Sequence, residues 1–227
     1  MSNETLAIWE DIFKTRAWGK YPPLPLVRFI ARNFYHMPDR KLLRMLEIGS
    51  GPGANLWYMA REGFLVHGIE GSATANAQAL QYLEREKLAD RIGFLRTGDY
   101  CEILHTLPDN YFHAIIDVES LYCNTFAASR AVIELTARKL KPGGKMFSMT
   151  FAEGTWGMDG PEVDYHATLP QEGPLAGDGF SRYASEADIE KLYLTENTQI
   201  TTIERHDRHL ANQKVVREWV IEIERKA

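Results

Sequence analysis

The sequence predicts an α/β fold, a mostly parallel sheet with helices on both faces. Three observations carry this expectation. Short apolar runs alternate with helical patterns through the middle of the chain. The stretch Gly49-Ser50-Gly51-Pro52-Gly53 closes the first apolar run and opens the first helix of the alternation. Acidic residues then stand at the ends of successive runs, at Glu70, Asp99 and Asp117. Such alternation favours parallel strands joined by right-handed crossovers, which restricts the topology.

Taken in order, Leu42 to Ile48 reads as the first strand and Ala54 to Arg61 as the helix after it. Phe64 to Ile69 is the second strand, Ser72 to Lys87 the second helix and Ile92 to Arg96 the third strand. Phe112 to Asp117 is the fourth strand, Phe126 to Leu140 a helix, and Lys145 to Phe151 the fifth strand. Ahead of this core, residues 1–40 carry two helical patterns, Thr5 to Thr15 and Pro25 to Tyr35, around Trp18-Gly19-Lys20-Tyr21-Pro22-Pro23. Residues 152–184 are rich in Gly, Pro and Asp and too long for an ordinary connection, which suggests a lid or binding loop. Ser185-Glu186-Ala187-Asp188 has the form of a capping box opening a helix. Gln199 to Arg205 and Val215 to Glu224 read as strands joined by a turn near Ala211-Asn212, an antiparallel hairpin. A single domain is expected over 1–227. It comprises an N-terminal helical cap (1–40), a cofactor-binding core (41–151), a lid and acceptor segment (152–184), and a C-terminal helix with hairpin (185–227).

Composition narrows the function. The 227 residues carry a formal charge of -5, which disfavours the basic footprint of a general nucleic-acid binder. No stretch approaches the roughly 18 apolar residues of a membrane span. Met1 to Glu10 shows no basic region ahead of an apolar run, so no secretory leader is expected. Two cysteines, Cys101 and Cys123, make neither a disulfide framework nor a four-ligand zinc site, and no metal is expected. A cytoplasmic protein acting on a small molecule, with no nucleic-acid or membrane partner, fits these properties.

The glycine stretch carries the chemistry. Glycines let a ligand approach the backbone, and the helix that follows offers unpaired N–H groups and the positive end of its dipole. Gly49-x-Gly51-x-x-Ala54 also satisfies the dinucleotide fingerprint, so an NAD(P)-dependent oxidoreductase stays open on the glycines alone. Glu47, two residues before the first glycine, would face a pyrophosphate unfavourably but suits a ligand bearing an ammonium. Glu70 can accept from ribose hydroxyls, and Asp99 from an adenine amino group.

With these residues in place, Leu42 to Phe151 resembles the class I S-adenosylmethionine-dependent methyltransferases, of the type acting on small molecules. Leu46-Glu47-Ile48-Gly49-Ser50-Gly51-Pro52-Gly53 is similar to the family's glycine motif, Thr97-Gly98-Asp99-Tyr100 to its adenine-side segment, Ile115-Ile116-Asp117-Val118-Glu119-Ser120 to the segment under the sulfonium, and Leu140-Lys141-Pro142-Gly143-Gly144 to the turn before the fifth strand. The resemblance implies a Rossmann-like sheet of seven strands in the order 3-2-1-4-5-7-6, with S-adenosylmethionine as cofactor. It implies cofactor contacts from Glu47, Gly49, Ser50, Gly51, Gly53, Asn55, Leu56, Glu70, Gly71, Ser72, Asp99, Tyr100, Asp117, Val118 and Glu119, with Trp18 and Tyr21 as an aromatic cover. Methyl transfer to oxygen or nitrogen by in-line displacement is the expected reaction. His166, with Asp164 and Tyr165 beside it, is the candidate general base, because its ordinary pKa suits a base near neutral pH. Tyr122 is a candidate for the acceptor pocket and Glu172 to Phe180 for its lid. A non-catalytic module binding the same cofactor is the remaining alternative.

Overall fold

A computed structural model describes residues 3–226. Its strands are β1 (Arg44–Ile48), β2 (Leu65–Glu70), β3 (Ile92–Thr97), β4 (Phe112–Val118), β5 (Leu140–Phe151), the short β6 (Glu162–Asp164), β7 (Ala167–Thr168) and β8 (Ser181–Arg182), then β9 (Thr198–His209) and β10 (Val215–Arg225). Its helices are α1 (Asn3–Thr15), α2 (Leu24–Phe34), α3 (Ala54–Arg61), α4 (Ala73–Arg85), α5 (Tyr100–Thr106), α6 (Phe126–Lys139) and α7 (Glu186–Tyr193). The main sheet has the order β3-β2-β1-β4-β5-β10-β9. β1 to β5 pair in parallel, and β10 enters antiparallel between β5 and β9. This is the expected seven-stranded, mostly parallel order, with β9 and β10 as its sixth and seventh strands.

Side chains alternate across the pleat and so build two cores. Leu46, Ile48, Trp219 and Ile221 face α5, α6 and α7 through Leu104, Ile133 and Leu192. Met45, Val66, Phe147 and Val220 face α2, α3 and α4 through Phe29, Leu56 and Leu83. The segment expected as a helical cap therefore divides. α2 buries Leu26, Phe29 and Ile30 on the sheet face, and α1 lies across the C-terminal ends of the strands.

Four local expectations change. Asp99 opens α5, a helix that the sequence did not suggest; its carboxylate accepts from the N–H groups of Cys101 (2.8 Å) and Glu102 (3.3 Å). The Lys141-to-Gly144 turn lies inside β5 as an irregularity, where the register with β4 shifts between Phe112 and Ala114. The 152–184 segment carries a small antiparallel sheet, β6-β7-β8. The hairpin strands also run further than expected, to His209 on β9, because β9 pairs with β10 up to the turn.

Glu10 fastens α1 to the sheet. Its carboxylate accepts from the hydroxyls of Ser72 (2.5 Å) and Thr74 (2.6 Å) and from the N–H of Thr74 (3.2 Å), at the N-terminus of α4. These bonds, the Ser72 hydroxyl first, hold its pKa at about 2 instead of 4.5. A depressed carboxyl contributes stability that is complete above 4.5 and lost as pH falls from there towards about 2. The group stays partly solvated, with 26% of its side chain exposed, so Glu10→Gln should cost only about 1 kcal/mol. Fluorescence of Trp9 and Trp18 followed from pH 6 downwards should show α1 loosening over that window in the wild type. A wild-type acid limb identical to the variant's would remove Glu10 from this role.

Candidate active site

One cavity of about 380 Å³ opens at the C-terminal ends of β1, β2, β4 and β5. That size lies within the ~300–1,000 Å³ of small-molecule sites. Parallel strands direct their ends, and the helix N-termini after them, to one edge of the sheet. Because β9 and β10 run antiparallel to one another, the end of β9 and the start of β10 meet there, and β10 brings its start to the edge where β5 finishes.

The loop after β1 forms the floor. Gly51 has φ +48°, and a Cβ added to it would meet nothing nearer than Phe13 at 3.6 Å, so a side chain there would enter the cavity. Gly53 serves packing instead: a Cβ on it would lie 2.8 Å from Ala79, where α3 crosses α4. Glu70 is buried and accepts from the N–H of Gly51 (2.7 Å) and the N–H of Ser72 (2.8 Å). The Tyr100 hydroxyl bonds the Ser120 hydroxyl at 2.6 Å on the opposite wall.

Glu47 is 1% exposed and lines the cavity. One of its oxygens accepts from the Asn55 amide at 2.6 Å; the other, Oε2, has no hydrogen-bond partner. The buried Ser50 hydroxyl is likewise unpartnered on the same wall. Burial, then the nearby Glu70 and Asp117 carboxylates, pushes the Glu47 acid well above the ordinary range. Such a group awaits a cation, and orphaned buried acceptors carry a cost until one arrives. The ammonium of S-adenosylmethionine supplies that charge and lets Glu47 ionise, whereas a pyrophosphate would bring its own negative charges against two buried carboxyls. The residues present therefore fit S-adenosylmethionine.

Of the residues expected to touch the cofactor, Trp18, Tyr21, Glu47, Gly49, Ser50, Gly51, Asn55, Glu70, Gly71, Tyr100, Val118 and Glu119 line this one cavity. Gly53, Leu56, Ser72, Asp99 and Asp117 lie outside its lining. Leu56 belongs to the core under the sheet. The Ser72 side chain caps α4. Asp99 caps α5. Asp117 is fully buried and holds the turn after β4, accepting from the N–H of Ser120 and of Leu121 (3.1 Å each) and from the Ser148 hydroxyl (2.5 Å).

The three residues expected to carry catalysis are placed elsewhere. Asp164, Tyr165 and His166 form the β6–β7 hairpin, His166 at φ +51°. Asp188, fully buried in the first turn of α7, accepts from His166 Nδ1 (2.7 Å), the Tyr165 hydroxyl (2.9 Å) and the N–H of Ser185 (2.9 Å). Asp164 and Tyr165 border a separate depression beside Phe126 and Lys191. The hairpin thus satisfies a buried carboxylate, which explains a polar cluster that reads as catalytic in sequence. His166→Ala should leave S-adenosylhomocysteine affinity and turnover unchanged while costing about 1–2 kcal/mol of stability, measured by urea unfolding. Loss of turnover in a stable variant would restore His166 to the chemistry. Two strand histidines are structural: His67 Nδ1 meets the Met45 carbonyl at 3.1 Å, and His113 Nδ1 accepts from the N–H of Arg44 at 3.0 Å. Burial lowers both to about 4.

Sequence reasoning missed much of the wall. Leu6, Trp9 and Phe13 come from α1, with Trp9, Phe13 and Trp18 ring centroids 5.2–5.9 Å apart. Arg208 of β9 and Glu218 of β10 complete the far end with Cys123 and Phe151, beside Tyr122 and the lid-segment residues Pro174, Leu175 and Asp178 that the sequence did suggest. A signal for Glu218 existed, because period two places it on the face of Val216 and Val220, where a carboxylate is out of pattern. Arg16 reaches Asp178 at 2.8 Å, tying the end of α1 to the 174–178 loop.

The comparisons agree with this geometry. The model of a family described as a methyltransferase domain matches residues 45–144. No curated protein matches the sequence significantly. Among solved structures, a SAM-dependent methyltransferase from Methanosarcina mazei is similar at TM-score 0.67 and 16% identity, over 81% of this chain and 92% of that one. A phosphoethanolamine N-methyltransferase 2 from Haemonchus contortus, solved with phosphomonomethylethanolamine and S-adenosylhomocysteine, is similar at TM-score 0.65 and 18% identity, over 97% of this chain and 56% of that one. The [4+2]-cyclase SpnF is similar at TM-score 0.66 and 15% identity, over 97% and 93%. At these identities the likeness is one of fold. With the family match over residues 45–144, the strand order and the glycine loop, the chain carries a methyltransferase domain at its core on the fold of the S-adenosylmethionine-dependent methyltransferases, with S-adenosylmethionine as its cofactor.

Proposed function

We propose that the enzyme methylates an oxygen or nitrogen of a small-molecule acceptor. The observation that carries this is the shape of the cavity. It runs from the glycine loop to a far end walled by Glu119, Tyr122, Phe151 and Glu218, under a cover formed by α1 and the 174–178 loop. A covered space of this kind excludes water and orients a small acceptor, which is most of what in-line methyl transfer requires of a protein.

In this reading Glu47 and Ser50 hold the methionine ammonium and carboxylate end, with the N-terminus of α3 beneath. Glu70 takes the ribose hydroxyls, Tyr100 and Val118 border the thioether side, and Trp18 and Tyr21 close the mouth. When bound, the cofactor supplies an electrophilic methyl group on a sulfonium, with a neutral thioether as leaving group. Asp178, latched by Arg16, keeps the loop over the acceptor end. The whole chain acts as one unit, since α1, the lid loop and the hairpin each contribute to the wall.

The test is turnover. The purified protein and S-adenosylmethionine are incubated with a panel of small alcohols, phenols, amines and carboxylic acids, and S-adenosylhomocysteine is measured. Acceptor-dependent product supports the reading. Methylation confined to protein or nucleic-acid acceptors would overturn it. Tight S-adenosylhomocysteine binding with no turnover on any acceptor would favour another use of the bound cofactor, a reading to which the [4+2]-cyclase on the same fold lends weight.

A further inference from the structure

We propose that the acceptor is an amine, taken as its ammonium between Glu119 and Glu218 and deprotonated there. The inference rests on the reading that this cavity holds cofactor and acceptor together. Glu119 follows β4 at φ +52°, a left-handed conformation that is uncommon for a side-chain-bearing residue. Its N–H still donates to the Met149 carbonyl at 3.0 Å, so the backbone stays tied to β5 while its side chain lines the cavity. Strain of this kind at a ligand cavity is a mark of a functional position. Glu218 stands opposite Phe151 in the β10–β5 pairing and reaches the same space from the other side. The two carboxyls line the same end of the cavity.

Burial, the Glu218 carboxyl and Asp117 push Glu119 well above the ordinary carboxylate range, with Arg208 opposing them. Glu119 and Glu218 make this end of the cavity acidic, with Arg208 as the basic residue beside them.

A second observation points to a ligand at the same place. Tyr122 is 2% exposed and lines the cavity, yet its hydroxyl makes no hydrogen bond to any described residue. Its ring is pinned edge-on to Phe151 with centroids 5.0 Å apart, so the hydroxyl is held in place for a partner from within the cavity. Apolar Phe151 and Leu175 complete the wall. A ligand suited to this wall offers several N–H donors and one positive charge on an apolar stem, which describes an alkyl- or aralkylammonium. A neutral alcohol offers one donor and no charge, and a carboxylate is repelled by the pair.

The proton step balances. An ammonium N–H bond breaks, its electron pair stays on nitrogen, and the proton goes to an ionised carboxylate oxygen of Glu119 or Glu218, which becomes a carboxylic acid. The nitrogen lone pair becomes the nucleophile. The raised pKa of Glu119 narrows its gap from an ammonium, as efficient general-base transfer requires.

The experiment is calorimetric and needs no turnover. Protein saturated with S-adenosylhomocysteine is titrated with phenethylamine and n-butylamine, and separately with n-butanol and butyrate. The amines should bind, and butanol and butyrate should not. Glu119→Gln and Glu218→Gln should each weaken amine binding by roughly tenfold or more, the scale for losing a hydrogen bond to a charged partner. Both should keep wild-type S-adenosylhomocysteine affinity, which also shows that they fold. Equal binding of butanol, preference for butyrate, amine binding unaffected in both variants, or no binding of any probe would each overturn the amine assignment and leave the cofactor reading standing. Failure of the wild type to bind S-adenosylhomocysteine would bring down both.

Discussion

Gly51→Val is expected to abolish S-adenosylhomocysteine binding, weakening it by more than ~100-fold, or about 2.8 kcal/mol. The glycine sits at φ +48°, and the space around its missing Cβ is the floor of the cavity, with Phe13 as the nearest neighbour at 3.6 Å. A branched side chain would occupy the methionine end directly. The left-handed backbone also costs a residue with a Cβ roughly 1–2 kcal/mol, so the variant should be less stable yet still fold. Gly51→Ala separates the two effects, since it carries nearly the same strain with far less bulk. A calorimetric titration of both variants checks this, with thermal melting as the control. Near-normal affinity in folded Gly51→Val would mean that the loop is a structural turn and that the cofactor lies elsewhere.

Glu70→Ala should weaken S-adenosylhomocysteine by about 1.5–3 kcal/mol, the range for hydrogen bonds to a charged group. It should also destabilise the empty protein. Glu70 satisfies the N–H groups of Gly51 and Ser72 at 2.7 and 2.8 Å, and removing it leaves two buried donors short of an acceptor, at about 1–3 kcal/mol each. Glu70→Gln keeps one acceptor oxygen and should fall between wild type and alanine in both measurements. Affinity unchanged in a folded alanine variant would remove the ribose role and leave Glu70 as a brace for the glycine loop.

The parts of this molecule legible in the sequence are those fixed by local rules. Strand and helix alternation set the parallel core and the hairpin after it, while the order through β10 and β9 came from the resemblance to the methyltransferase sheet. Glu47, Gly51 and Glu70 were readable because each sits at a strand end, and strand ends meet at one edge. Residues whose role depends on which long-range neighbour they find were not. Asp99 and Asp117 stand at the same kind of position as Glu70, but nearby backbone N–H groups take up their carboxylates. His166 looks like a base until Asp188, 22 residues away, is placed beside it. Glu119 was read as a cofactor contact, but Glu218, which lines the same end of the cavity, lies on β10. Only the register of β10 against β5 brings the two together.

Calorimetric titration of the wild-type protein with S-adenosylhomocysteine, and in parallel with NADH and NADPH, tests the cofactor assignment most directly. Saturable one-to-one binding of S-adenosylhomocysteine, with no heat from either nicotinamide, is the expected result. Binding of NADH or NADPH with none of S-adenosylhomocysteine would contradict it, because a pyrophosphate would then have to lie against the buried carboxyl of Glu47.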